Sequence, residues 1–510
     1  MNDNRNHAFP LTQSHEPASF SIPSGAKKVI ETLEQAGFEA FLVGGCVRDM
    51  VLGRPPKDWD ITTSAKPEEV KQLFRHTVDT GLKHGTVTVM IHREGFEVTT
   101  YRVDGEYGDG RHPDHVEFTS SLEEDLKRRD FTVNAMAYSP SVGIIDLFGG
   151  QDDLKKEVIR CVGEPRERFG EDALRILRAL RFSAKLDFSI APDTRLAIAE
   201  LAGTLKKISR ERIRTELDLL LTSDHPERLR DAWELGVTKE VLPEFDEMMA
   251  TPQNNPHHFT NVGEHTLIVV GAIGSRRSSP STFGICSSDV SNVPTDSGGA
   301  ANVASGNSSA GISNSSSDGL SDGISLRILR WAALLHDVGK PVTRTTDAEG
   351  VDHFYDHARV GAEMAERILR DLKFDNQTIR LVTQLIAVHS DMPAENLKSV
   401  RKSVAKIGRD LYPYFLALKA ADAAGKAAPY AEKGLAYVSA LRALFEQVVA
   451  ANACLTIKDL AVSGRDLMET GIPAGPGLGQ TLNRLLDYVI ENPEANERES
   501  LLSLVRNKSI

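Results

Sequence analysis

A strand, two glycines, a helix and a pair of aspartates follow one another between Phe41 and Asp60 (FLVGGCVRDMVLGRPPKDWD), and that order leaves the chain few ways to fold there. The apolar run Phe41-Leu42-Val43 reads as a strand. Gly44 and Gly45 carry no Cβ, so backbone N–H groups can close on a phosphate, and the N-terminus of the following helix favours negative charge. That helix is expected to open on Arg48 and Asp49, with Arg48 adding a cation on the same side. Beyond the Pro55-Pro56 break, Asp58-Trp59-Asp60-Ile61-Thr62-Thr63 has strand composition, and residues two apart on a strand share a face. Asp58 and Asp60 are therefore expected to converge. Hard oxygen ligands beside a triphosphate cradle suit Mg²⁺, and the implied chemistry is two-metal nucleotidyl transfer. A Gly-Gly turn or an Asp-x-Asp pair alone is common in surface loops; their combination points to a phosphate site.

With 510 residues the chain has length for three or four domains. Its formal net charge of −12 argues against bulk affinity for nucleic acid, though not against a local basic groove. Cys46, Cys161, Cys286 and Cys454 are scattered without CxxC spacing, which suggests neither a disulfide framework nor a zinc ribbon. The polar first twenty residues contain no signal-peptide core, and no run reaches the length of a membrane span. The expectation is a soluble cytoplasmic protein.

Around the phosphate motif the chain reads as mixed α and β. Ser24 to Gly37 has a helical period. From Thr80 the alternation predicts a hairpin with Val87, Val89 and Ile91 on one face and a turn near Glu94-Gly95. Glu97, on its second strand, is either a third carboxylate of the site or a plain exposed residue. Asp104 to Pro113 is rich in Gly, Asp and Pro and reads as a loop carrying Arg111. Leu122 to Tyr138 is expected to be helical, presenting Arg128, Arg129, Asp130 and Asn134; Gly143 to Gly150 reads as a strand and turn.

Glu171 to Ala184 marks the change to helix. Ala173, Ile176, Leu177, Leu180 and Ala184 form one apolar stripe, with Asp172, Arg175, Arg178 and Arg181 over the opposite half. A salt-bridged surface would look the same. The chemical alternative is base reading: cytosine and adenine each offer an amino donor beside a ring-nitrogen acceptor. A carboxylate at Asp172 accepts from the first while a guanidinium at Arg175 donates to the second, and uracil and guanine present the reverse. From Ile208 onward no sheet is expected.

Seven of the fifteen histidines lie between His257 and His389. Among them His265, the adjacent His336 and Asp337, His357 and His389, together with the later Asp422, form an ordered imidazole and carboxylate set suited to a divalent metal that activates water. A Ser, Gly, Asn and Asp-rich insertion at 275–324 interrupts this region and is expected to be disordered. Near the end, a Gly-Pro-Gly-rich connection leads to an amphipathic helix expected from Gln480, with Lys458 and Arg465 nearby.

These motifs, LVGGCVRD with DWDITT, TGLKHGTVTV, RRDFTVNAMAY, EDALRILRALRF, ERIRTEL, SGRDLM and GPGLG, make the sequence closely similar to the bacterial class II tRNA nucleotidyltransferases, the CCA-adding enzymes. The resemblance implies an α+β chain: a mixed-sheet head related to DNA polymerase beta, then a predominantly helical neck, body and tail. In residues this means a disordered tail at 1–21, a head at 22–160, a neck at 161–225, a body at 226–450 and a tRNA-binding tail at 451–510. It also implies triphosphate contact by Gly45 and Arg48, catalytic Mg²⁺ on Asp58 and Asp60, nucleotide contact by Arg129, and base reading by Asp172 and Arg175. Arg178 and Arg181 would contact the nucleotide or hold the reading helix. The substrates would be CTP, ATP and the tRNA acceptor arm. The body resembles an HD-type phosphohydrolase, with His265, His336, Asp337 and Asp422 matching metal ligands and His357 and His389 accessory ones, so a second divalent metal is implied. Alternatives are a CC-adding or A-adding specialist or a poly(A) polymerase; Asp109-Gly110-Arg111, matching the flexible element of full CCA-adders, and LKHGTVTV favour CCA addition. A metal phosphohydrolase with a decayed head is the reading from another class, against which the intact Asp58 and Asp60 speak; a non-enzymatic RNA-binding protein is the last.

Overall fold

The computed structural model describes residues 20–81, 85–104, 116–274 and 320–507. The N-terminal tail, the loop with Arg111, part of the TGLKHGTVTV motif and most of the Ser-rich insertion lie outside them. The chain divides into two compact units, Met1–Glu216 with Glu234–Glu240, and Leu217–Trp233 with Val241–Ile510.

The first unit begins with α1 (Ser24–Gln35), β1 (Ala40–Val43), α2 (Gly45–Val51), β2 (Asp60–Thr63) and α3 (Pro67–Leu73). There follow β3 (Thr77–Gly81), β4 (Thr86–Ile91), β5 (Glu94–Thr100), β6 (Arg102–Asp104), β7 (Val116–Phe118), α4 (Leu122–Lys127), β8 (Met136–Ser139), β9 (Gly143–Asp146) and α5 (Gly150–Lys155). Seven strands form one mixed sheet in the order β3-β4-β5-β2-β1-β8-β9. Only β2 and β5 run parallel, and their register sets Asp60 beside Glu97. Phe41, Val43 and Ala137 pack on Leu122 and Leu126 of α4. Gly25 of α1 lies so close to the Phe96 ring that a Cβ would come within 2.6 Å of it.

The unit continues in helices: α6 (Pro165–Glu171), α7 (Leu174–Leu186), α8 (Pro192–Leu201) and α9 (Arg210–Leu221), the last running into the second unit. That unit is mostly helical. Val262–Ala272, Leu320–Leu335, His357–Asp371, Asn376–Val388 and Tyr412–Ala424 surround its histidines, and a C-terminal cluster gathers Leu467, Leu485, Val489, Leu501 and Leu502.

Several local expectations need correcting. Helix α2 begins at Gly45, three residues before Arg48. The β4–β5 turn is His92-Arg93, both at positive φ (48° and 71°), so two non-glycine residues make the tight turn that the right-handed twist of a hairpin favours. Leu122 to Tyr138 is not one helix: α4 stops at Lys127, Asp130 Oδ1 accepts from the Phe131 N–H, and the β-branched Thr132 and Val133 lead into β8. Glu171 to Ala184 is broken at Asp172, which is extended (φ −141°, ψ 105°). A two-stranded ribbon, Arg344–Thr346 with Asp352–Phe354, stands in the region expected to lack sheet. The C-terminal amphipathic helix starts at Pro476 rather than Gln480, with proline in its first turn, where its missing N–H costs no helical hydrogen bond.

Candidate active site

In the first unit, β2, β5 and the turn after α4 bring chemistry to one cavity of about 210 Å³, whose lining includes Asp60, Glu97, Thr86, Arg102, Arg128 and Arg129. Gly44 sits at φ 77° and ψ −131°, a conformation essentially reserved for glycine, and a Cβ there would lie 3.2 Å from Arg129 Nη1 and 4.0 Å from Asp60 Oδ2. The absent side chain leaves space between cation and carboxylate. Burial first, then the charge of Glu97, push the Asp60 carboxyl up to about 6; Arg129 opposes this and Asp58 adds to it. The charges of Glu97 and, least, of Asp58 thus act on Asp60, with Asp58 exposed just before β2 and the three carboxylates standing farther apart than metal-ligand spacing. Their hard oxygens fit a divalent cation, which would relieve that repulsion.

The arginines are held from behind. Asp125 is fully buried on α4 and accepts from Arg128 Nε (3.0 Å) and Nη2 (2.7 Å), from Arg129 Nη2 (3.3 Å), and from Thr62 Oγ1 (3.1 Å), two residues along β2 from Asp60. Burial opposes its charge, but Arg129 and Arg128 overcome that and hold the carboxyl below its usual range. Arg48 lies outside the cavity lining and is buried; its Nη1 donates to Asn134 Oδ1 at 2.8 Å and its Nε to Asp49 at 2.9 Å. Asn134 donates to Asp130 (3.4 Å), which accepts from Arg178 Nε (2.7 Å), so a buried polar chain ties α2 to α7.

Helix α7 carries its stripe as expected, with Ala173, Ile176, Leu177, Leu180 and Ala184 buried. Its arginines are not on a solvated face. Arg175 is buried, pairs with Glu171 and donates to Arg168 O at 3.1 Å. Arg181 Nε meets Glu216 Oε2 at 3.0 Å, and the guanidinia of Arg48, Arg178 and Arg181 lie 5.4, 5.6 and 4.3 Å from the Phe182 ring centroid. Asp172, the C-cap of α6, reaches the start of α7: its Oδ1 accepts from the Leu174 N–H at 3.0 Å, and its Oδ2 from Arg212 Nη2 at 2.7 Å. Asp172 and Arg175 therefore stand on either side of a helix joint rather than on one face of one helix.

The second unit holds the histidine cluster. Each of four imidazoles donates its Nδ1–H to a backbone carbonyl: His265 to Gly425 (3.1 Å), His336 to Ala333 (2.8 Å), His357 to Phe354 (2.7 Å) and His389 to Ile386 (2.7 Å). That fixes one tautomer and turns the Nε2 lone pairs inward. His265 Nε2 is 3.1 Å from Asp422 Oδ1, and His336 Nε2 is 3.1 Å from Asp337 Oδ2. His357 and His389 Nε2 lie 3.2 Å apart, each 3.7 Å from Asp337 Oδ1. Among the described residues two groups have metal-ligand spacing, His265-His336-Asp337 and Asp337-His357-His389. His336 Nε2 and Asp337 Oδ2 are buried and face each other at 3.1 Å without a hydrogen bond of good geometry, and Lys340 Nζ lies 2.8 Å from the same oxygen, so the carboxylate already attracts a cation there. The donor set fits a divalent metal.

Residues 40–160 match the family described as poly A polymerase head domain, residues 187–249 a probable RNA and SrmB-binding site of polymerase A, and residues 344–505 a putative tRNA nucleotidyltransferase domain 2. Along 95% of the chain and 97% of the other, the structure resembles that of the Bacillus stearothermophilus CCA-adding enzyme in complex with CTP, with a TM-score of 0.65 and 29% identity. Across these three stretches the chain is similar to the poly(A) polymerases and tRNA nucleotidyltransferases. The fold of the family recurs at lower identity, 20%, in the Thermotoga maritima CCA-adding enzyme complexed with tRNA (TM-score 0.52, 94% of each chain). The CCA-adding enzyme of Lactiplantibacillus plantarum is 53% identical over 210 residues, 41% of this chain and 51% of that protein. That of Leuconostoc mesenteroides is 57% identical over 217 residues, 42% of this chain and 53% of that one. The chain thus spans about half the length of the curated relatives it matches.

The structure gathers Asp60 and Arg129 in one cavity, leaves the exposed Asp58 outside its lining with a charge that still acts on Asp60, and gathers the histidines and Asp422 in another cluster. Gly45 and Arg48 lie on the adjoining α2, outside the cavity lining. Glu97 is exposed along its strand, yet it faces Asp60 across the parallel ladder. Sequence reading passed over Asp125, Arg102 and Arg212. A buried Asp three and four residues before two arginines was the available signal for the first, and the ERIRTEL motif for the last.

Proposed function

We propose that this chain is a CCA-adding tRNA nucleotidyltransferase, transferring C, C and A from CTP and ATP to a tRNA 3′ end without a nucleic-acid template. The observation that carries the reading is Asp60 beside Glu97 under the Gly44 turn, with Arg128 and Arg129 in the same cavity, in a chain that aligns along nearly its whole length with an enzyme solved in complex with CTP. Arg129 and Arg128, aimed by Asp125, orient the triphosphate, and Gly44 lets it approach the backbone. The tRNA 3′-oxygen attacks the α-phosphorus, the bond to the bridging oxygen breaks, and pyrophosphate leaves. Mg²⁺ held by Asp58 and Asp60, with Glu97 beside them, would screen the triphosphate and promote loss of the hydroxyl proton. Asp172 accepts the amino proton shared by cytosine and adenine; Arg175 turns from Glu171 to donate to the ring nitrogen. Arg178 and Arg181, buttressed by Asp130 and Glu216, hold that helix. The helical body and tail carry the tRNA acceptor arm, and the work is cytoplasmic. Labelled CTP incorporation into a tRNA transcript lacking CCA tests this. Asp60→Ala and Asp58→Ala should each lower it by roughly 10³-fold or more with tRNA affinity retained, whereas incorporation that survives both would place the chemistry elsewhere.

A second activity is favoured by the histidine cluster: we infer an HD-type, metal-dependent phosphohydrolase site in the second unit, with His265, His336, Asp337 and Asp422 as ligands and His357 and His389 accessory. Four Nε2 lone pairs aimed at two carboxylates support it. A divalent transition metal bound there would supply an activated water. Metal analysis after dialysis should find ion in the intact chain and none in Asp337→Ala; equal content in both would reject the site.

A further inference from the structure

The Asp172 carboxylate has more accepting capacity than its own helix uses. Its Oδ1 takes the Leu174 N–H, and its Oδ2 takes Arg212 Nη2 at 2.7 Å, from a helix forty residues on. Two fixed donors leave a carboxylate little freedom to rotate, so its remaining lone pairs have defined directions. Arg212 is itself only half satisfied: its Nη1 is buried with no hydrogen-bond partner. A guanidinium whose only task was to hold two helices together would be expected to satisfy both ends, since an unpaired buried donor is costly. Arg178 does so more completely, giving two donors to Asp130, whereas the facing atoms of the Arg181–Glu216 pair, like Arg212 Nη1, are buried without a hydrogen bond.

We propose that Arg212 is a specificity-determining positioning residue: it fixes the plane of the Asp172 carboxylate so that one oxygen lone pair faces the exocyclic amino group of cytosine or adenine. The inference rests on the base-reading role proposed for Asp172. A carboxylate held in one plane meets a carbonyl oxygen of uracil or guanine with lone pair against lone pair, and the mismatch is penalised. A carboxylate free to turn can move away or admit a bridging water, and the penalty fades. Arg212 thus acts on the choice of base through Asp172, and its own contact with the triphosphate or the metal site is not required.

The test is the ratio of kcat/KM for CTP to that for UTP, measured on full-length protein with a tRNA transcript lacking CCA, for the wild type, Asp172→Ala, Arg212→Ala, Arg212→Lys and the Asp172→Ala/Arg212→Ala double variant. We expect Arg212→Ala to lower the ratio by about tenfold or more, the size of one charged hydrogen bond. Arg212→Lys, which keeps one charged donor, should recover part of it, and the double variant should lose no more than Asp172→Ala alone. If Asp172→Ala lowers the ratio and Arg212→Ala leaves it unchanged, the Arg212 assignment is overturned while the base-reading role stands. If Asp172→Ala itself leaves it unchanged, both fall. Loss of activity by the same factor for CTP and UTP in Arg212→Ala marks a structural brace and also overturns the assignment. Should Arg212→Ala fail to fold, Arg212→Lys carries the test: an intermediate ratio supports positioning, and a wild-type ratio rejects it.

Discussion

At the scale of single residues, the Asp60 carboxyl carries the clearest physical signature. Its folded value of about 6 lies above the ordinary 3.8, so the fold favours its protonated form. The stability linked to this group is therefore present below pH 4 and lost as pH rises through 6. In metal-free protein, Asp60→Asn is expected to melt about 1–3 °C above wild type at pH 8 and level with it at pH 4. Adding Mg²⁺ at pH 8 should raise the melting point of wild type and not of the variant. Differential scanning calorimetry with and without EDTA checks both, and a variant that melts below wild type at pH 8 contradicts the carboxylate crowding. Gly44 is the other telling position. Gly44→Ala must adopt φ 77° and bring a methyl group within 3.2 Å of Arg129 Nη1. Strain of about 1–3 kcal/mol, together with a displaced Arg129, should lower kcat/KM for CTP at least about tenfold with little change in tRNA affinity. Unaltered kinetics would remove Gly44 and Arg129 from the triphosphate site.

At the scale of elements, the sequence made some features plain and concealed others for identifiable reasons. The strand, Gly-Gly turn and helix from Phe41 to Val51 were readable because apolar composition, glycine and helical period change within a few residues of one another. The stripe on α7 was readable from its period. The break at Asp172 was not, because a stripe that begins at Ala173 looks the same whether or not a helix precedes it, and one of the bonds Asp172 makes there comes from Arg212, far along the chain. Leu122 to Tyr138 misled because α4, a turn and β8 are each too short to show a period. Parallel pairing of β2 with β5, which sets Glu97 beside Asp60, is a long-range register that alternation within one strand does not encode. Asp125 joins three of these elements, and its removal tests their coupling. Asp125→Asn leaves Arg128 and Arg129 without their shared anion, and we expect KM for CTP to rise by roughly tenfold with a smaller change in kcat. A fall in kcat alone would instead place the arginines at the reacting phosphorus.

At the scale of the whole molecule, the two candidate sites lie in separate units. The His-Asp set was visible in the sequence as residue types in order, but not as a site: only the fold turns four Nδ1 atoms to backbone carbonyls and four Nε2 atoms inward. The independence of the two sites is testable. Asp337→Ala should lose bound metal and phosphohydrolase activity while nucleotide incorporation stays within about twofold of wild type; a matching collapse of incorporation would show that the two are coupled. The proposed addition of C, C and A is read most directly from the 3′ ends of tRNA products. Purified protein is incubated with CTP and ATP together and with transcripts ending before CCA, after C and after CC, and the 3′ ends of the products are sequenced. We expect every transcript to be completed to CCA and then to stop. Products that halt at CC, that grow only from CC, or that continue as a run of A contradict CCA addition and assign the corresponding specialist activity to the same site.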